Sequence, residues 1–161
     1  MKRLYSEGSV FCLPLRHVGY ARGVVARVTP RGIADFGYFF GPRLPSPEAV
    51  KLDDQRPDNA ILRLKFGDLG LINGEWTLHG KVPNWNRSEW PMPDFVIRDP
   101  LGFRKPLLVR YSDTDPMKIV ARYPIDDDHG MPDGSTSGYG AVEIKMTKLL
   151  RSMSPPSANK S

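Results

Sequence analysis

Trp85, Arg87 and Trp90 lie within six positions of one another in the segment Asn84-Trp-Asn-Arg-Ser-Glu-Trp-Pro-Met-Pro93. Tryptophan and arginine are the side chains that most often carry binding energy at protein interfaces. The segment has neither the period of a strand nor that of a helix, so it reads as a loop. The chemistry it offers is recognition of another macromolecule. The competing reading is packing, in which both indoles fold back and cap the open end of a sheet.

Other combinations of reactive side chains point to less. Asp126-Asp127-Asp128-His129 is the only dense run of metal-ligand types, and His17 and His79 are far from it. Its spacing is not that of a calcium loop, which alternates carboxylates and closes on Glu, and no Cys or His pair has zinc spacing. It reads as a solvated acidic loop; no metal and no cofactor are expected. Cys12 is the single cysteine, lies in an apolar run and has no partner nearby in sequence, which suits a small buried hydrophobe better than a nucleophile. Asp68 and Glu75 could pair as acid and base, but polar residues commonly flank a hairpin. Gly134-Ser-Thr-Ser-Gly138-Tyr-Gly140 lacks the lysine of a phosphate loop and the strand–helix–strand setting of a dinucleotide site. Its serines and threonine are expected to cap a helix. No catalytic residue is assigned, and the protein is expected not to be an enzyme.

The elements that must hold these residues are mostly strands. Val10–Leu15 and Tyr20–Thr29 form the first two, the second with Tyr20, Val24, Ala26 and Val28 on one face. Ile33–Phe40 places Phe36, Tyr38 and Phe40 at period two and is expected to end at Gly41-Pro42. Leu44–Asn59 is a loop. Ala60–Phe66 turns Leu62, Leu64 and Phe66 inward and Arg63 and Lys65 outward. Asn73-Gly74 is a strong two-residue hairpin signal, leading into Glu75–Val82 with Trp76, Leu78, Gly80 and Val82 on one face. Phe95–Arg98, Leu107–Tyr111 and Met117–Tyr123 follow, the last with Met117, Ile119, Ala121 and Tyr123 inward. From Tyr139, apolar residues at Tyr139, Val142, Met146 and Leu149–Leu150 mark one helix. The expectation is an α+β fold: a mainly antiparallel, strongly curved sheet or partial barrel with one C-terminal helix. Residues 1–150 form one domain, and 151–161 a flexible tail.

Composition bounds the function. The chain has 161 residues, 16 prolines and 15 glycines, and 23 Lys and Arg against 18 Asp and Glu, for a net charge of +5. Many turns and few long helices follow. No apolar run of about 18 residues exists to cross a membrane, the beginning is too interrupted for a secretory signal, and one cysteine needs no oxidising compartment. A cytoplasmic protein is expected. The positive balance invites a second reading, a small basic β-domain that binds RNA or DNA. However, the cations are spread over outer strand faces and interrupted by acids, concentrating only at the N-terminus and in 101–111.

Several pieces in order resemble the immunity protein 26 family of bacterial polymorphic toxin systems. They are Glu7-Gly-Ser-Val-Phe-Cys-Leu-Pro-Leu15, Gly19-Tyr-Ala-Arg-Gly-Val-Val25, Tyr38-Phe-Phe40, and Gly67-Asp-Leu-Gly-Leu71 with Gly74-Glu-Trp76. Trp85 to Phe95 (W-x-R-x-x-W-P-x-P-x-F) and Gly138-Tyr-Gly-Ala-Val-Glu143 complete the set, spanning about residues 5 to 150. The resemblance implies a non-enzymatic protein that binds and neutralises a cognate toxin domain encoded nearby. Trp85, Arg87 and Trp90 are the expected contact residues. A positive inhibitor argues that its toxin is not a basic nuclease blocked by nucleic-acid mimicry, since such a mimic would be acidic.

Overall fold

The structure is a computed structural model, and it describes residues 4–128 and 130–153. Its centre is an open, curved sheet in the order β5-β1-β2-β3-β4-β9, built from β1 (Ser9–Pro14), β2 (Tyr20–Val28), β3 (Ala34–Leu44), β4 (Leu62–Gly67), β5 (Thr77–Lys81) and β9 (Thr136–Ser137). A second sheet joins β6 (Phe95–Ile97), β7 (Leu107–Ser112) and β8 (Asp115–Pro124). All strand pairings are antiparallel except the two-residue contact of β9 with β4; Val96 also makes an isolated parallel bridge to Asp133. Two helices complete the fold, α1 (Leu69–Ile72) and α2 (Tyr139–Met153).

The first sheet is buried on both faces. On one, Phe11, Phe39, Phe66 and Trp76 pack against Val142, Met146 and Leu150 of α2. On the other, Val10, Val24, Phe36, Tyr38 and Phe40 meet Trp90, Phe95, Val109 and Tyr111 from the second sheet and its loops. This three-layer arrangement explains β2, which was expected to bury one face and buries two: Ala21 and Val25 face the helix, Val24 and Ala26 the second sheet. The close glycines belong to the same geometry. A Cβ on Gly23 would stand 2.4 Å from the Phe11 ring, so the central strand needs glycine there for the aromatic layer to close over it.

Several sequence expectations are corrected. β3 continues past Gly41-Pro42 to Leu44. Asn73-Gly74 is not a hairpin turn: Asn73 ends α1 in a right-handed conformation and Gly74 follows at φ 82°, a helix C-terminus. β5 accordingly leaves β4 and pairs with β1. The register of that pair shifts between Val10 and Phe11, which turns Val82 away from the Trp76 side and onto the second-sheet side. Lys65, expected outside, is buried where the second sheet covers β4. Met117, Ile119 and Tyr123 of β8, expected inside, are exposed: β8 is the outer strand of its sheet, and only its start, at Pro116, is buried. The residues expected to cap α2 do other work: Ser135 bonds Asp133, and Ser137 Oγ accepts from Lys145. α2 runs to Met153; the rest of the tail assigned to 151–161 lies outside the described residues.

Candidate functional site

Loop 83–94 joins the two sheets. Asn86 caps a short 3-10 turn at Arg87–Glu89, its Oδ1 accepting from the Ser88 N–H at 3.2 Å and hydroxyl at 2.8 Å. The turn drives Trp90 into the core, where it is 3% exposed and stands edge-on to Tyr38 at 5.1 Å between ring centres and to Phe40 at 6.1 Å. The Tyr38 hydroxyl donates to the carbonyl of Pro91. Trp85 is half-buried, tilted against Trp90 at 5.6 Å and lying across Gly8, where a Cβ would meet its ring at 2.8 Å. Gly8 has φ 90°, so it is glycine for both reasons.

Arg87 stands at the outer end of the loop between two acids. Its Nε and Nη2 donate to the Glu7 carboxylate at 2.8 and 3.2 Å, and its Nη1 and Nη2 reach the Asp113 carboxylate and carbonyl at 2.5 and 2.8 Å. The Glu7 hydrogen bond, followed by that of Asp113, holds the Arg87 pKa above its ordinary value. Asp113 also accepts from Nε of the buried Arg27 at 2.8 Å. Arg27 reaches it because β2 carries one extra residue between Val25 and Arg27 relative to β3, which turns Arg27 onto the second-sheet face. Burial works to raise the Asp113 pKa, but the two guanidinium groups outweigh it and hold the carboxyl below the usual range.

The structure therefore brings Trp85, Arg87 and Trp90 together as expected, with different exposures. Trp90 is a core anchor and presents nothing to a partner. Trp85 and Arg87 remain at the surface beside an open depression lined by Ser6, Glu7, Val28 and Lys81. Sequence reasoning missed Arg27, Glu7 and Asp113 as their supports.

The groups considered for catalysis are separately engaged. Asp68 accepts from the Tyr5 hydroxyl at 2.8 Å and the Ile33 N–H at 3.3 Å. Glu75 accepts from Asn73 and from the Tyr139 hydroxyl at 2.7 Å. His79 bonds Thr77, Asp126 pairs with Lys105 at 2.8 Å, and Asp128 pairs with Arg98. Among the described residues no cluster of metal-ligand types is close enough to hold an ion; His129 lies outside them. Cys12 is buried, and burial pushes its thiol up to about 11.

Part of the positive charge is committed within the fold. Seven arginines and lysines, from Arg16 to Arg110, make ion pairs with neighbouring carboxylates. No helix of the described residues is long and apolar enough to cross a membrane.

A family model described as Immunity protein 26 matches residues 6–107, from β1 to the start of β7. The Gly138–Glu143 piece of the sequence resemblance falls beyond it. No curated protein and no solved structure matches the chain.

Proposed function

The chain belongs to the immunity protein 26 family, and from that premise we propose that it binds a cognate toxin domain, encoded beside it, and neutralises it in the cytoplasm of the producing cell. The observation that carries the reading is the family match over most of the chain. The described groups support a binding protein over an enzyme: each candidate acid, base and thiol is engaged or buried, and none is left facing a shared cleft. In this reading Trp85 and the outer edge of Arg87 touch the toxin, while Trp90 fixes the loop from within.

Co-expression with the adjacent toxin, followed by pull-down, tests it. Growth rescue restricted to that toxin and a one-to-one complex are expected. A protein that neither protects nor binds is not its inhibitor. Affinity for RNA or DNA that falls steeply with salt would instead favour the nucleic-acid reading.

A further inference from the structure

Away from loop 83–94, the opposite end of the second sheet carries an apolar feature that none of the preceding assignments uses. The connection 98–106 between β6 and β7 holds Leu101, 75% exposed, and Phe103, 85% exposed. The backbone beneath them is tied down. The Asp99 carboxylate accepts the N–H groups of Leu101, Phe103 and Arg104 at 3.0–3.1 Å, and the Asp99 carbonyl accepts that of Gly102. Gly102 turns the chain at φ 74°, and ion pairs from Arg98 to Asp128 and Lys105 to Asp126 brace both flanks. A cavity of about 570 Å³ opens beside the two side chains, against Ile97 and Leu107. Its lining holds three cations, Arg98, Arg104 and Lys105, and one anion, Asp99. Asp99 is committed to backbone and two of the cations to carboxylates; the Arg104 guanidinium has no ion pair or hydrogen bond among the described residues.

We propose that this loop anchors the toxin domain by receiving an apolar side chain flanked by a carboxylate on the toxin surface. The apolar side chain packs between Leu101 and Phe103 onto Ile97 and Leu107, and the carboxylate meets Arg104. The inference deepens the toxin-binding reading and rests on it. Charge selects the occupant. A second copy docked by two-fold symmetry would set this patch against itself, where Arg104 finds no uncommitted carboxylate. A nucleic acid would find one uncommitted cation and two apolar side chains where it needs a track of phosphate contacts. A loop already held in shape loses little freedom on binding, so its contacts convert efficiently into affinity.

The test measures binding of the adjacent toxin domain, inactivated in its active site, by titration calorimetry with the full chain. Phe103→Ser is expected to weaken binding about 30-fold, the range of an interface hot spot. Arg104→Glu should weaken it about 10-fold or more, and Arg104→Lys should retain most of it. Both residues are exposed, so thermal unfolding should stay unchanged. If the wild-type chain binds and the variants bind within about threefold of it, the loop is not the anchor, although the toxin reading stands. If the wild-type chain does not bind, the toxin reading fails and the proposal with it. A concentration-dependent dimer of the isolated protein that Phe103→Ser abolishes would make the patch a self-interface and overturn the assignment.

Discussion

The indole N–H of Trp76 donates to the carboxylate of Glu143 at 2.9 Å, and both side chains are buried. The other carboxylate oxygen pairs with Arg16 at 3.2 Å, while Arg16 also bonds the Gly140 carbonyl. One acid thus fastens α2 to the segment before β5 and to the β1–β2 turn. Glu143→Ala leaves the indole donor without a partner and should cost about 2–3 kcal/mol. Glu143→Gln keeps an acceptor and should cost less, about 1 kcal/mol. Urea denaturation of the two variants checks the order; equal stabilities would show that the indole contact contributes nothing.

Lys65 gives the stability a pH dependence. Its ammonium lies 3.4 Å from the centre of the Tyr111 ring, linking β4 to β7. Burial lowers its pKa to about 8, with Asp133 opposing the shift. An unfolded lysine holds its proton to about 10.4, so between these values the unfolded chain binds more protons and stability rises with pH. The wild-type protein should gain about 2 kcal/mol from this group between pH 7 and 9.5, a range below the raised pKa values that burial gives Tyr38 and Tyr111. Lys65→Met should remove that gain, leaving only the opposite, falling trend that the raised Cys12 thiol contributes above pH 8. Urea midpoints across the range decide; parallel profiles for the two proteins would refute the role.

These two contacts mark the limit of what the sequence shows. Phe36, Tyr38 and Phe40, Leu64 and Phe66, and the stripe of α2 were all legible, because each element's periodicity states which residues share a face. Periodicity does not say whether a face is covered. Lys65 alternates correctly with Leu64 and Phe66, but the sheet that buries it begins some thirty residues later. β8 shows the converse, an inward-looking alternation left uncovered beyond Pro116. Asn73-Gly74 failed for a local reason, since the same pair closes a hairpin or ends a helix, and Leu69–Ile72 forms the helix. The tryptophan loop was legible as a loop with aromatic and basic content. Its supports were not, because Glu7 and Arg87 meet across 80 positions and Arg27 depends on a register shift that has no sequence signature.

Cys12 should be inert in the folded protein. It is buried in β1 between β2 and β5, and its thiol titrates near 11, so at pH 8 almost no thiolate exists to attack a reagent. Iodoacetamide should label it only at the rate at which the protein opens, and at full rate in urea. Rapid labelling without denaturant would contradict its burial.

The link from Arg27 through Asp113 to Arg87 should behave as a coupled unit. Asp113→Ala strips the buried Arg27 guanidinium of its carboxylate and should cost about 2–4 kcal/mol. Arg87→Ala leaves Arg27 and Asp113 paired and should cost about 1 kcal/mol, because Arg87 is partly solvated. The double variant should lose less than the sum of the two, with a coupling above about 0.5 kcal/mol. The low carboxyl pKa of Asp113 sets the direction in acid: its contribution is present above the ordinary carboxylate range and is lost as pH falls through the depressed folded value. Acid titration of wild type and Asp113→Asn should therefore converge below pH 4. Additive single-variant costs, together with parallel acid profiles, would show that the three groups act independently and that loop 83–94 is held by the packing of Trp85 and Trp90 alone.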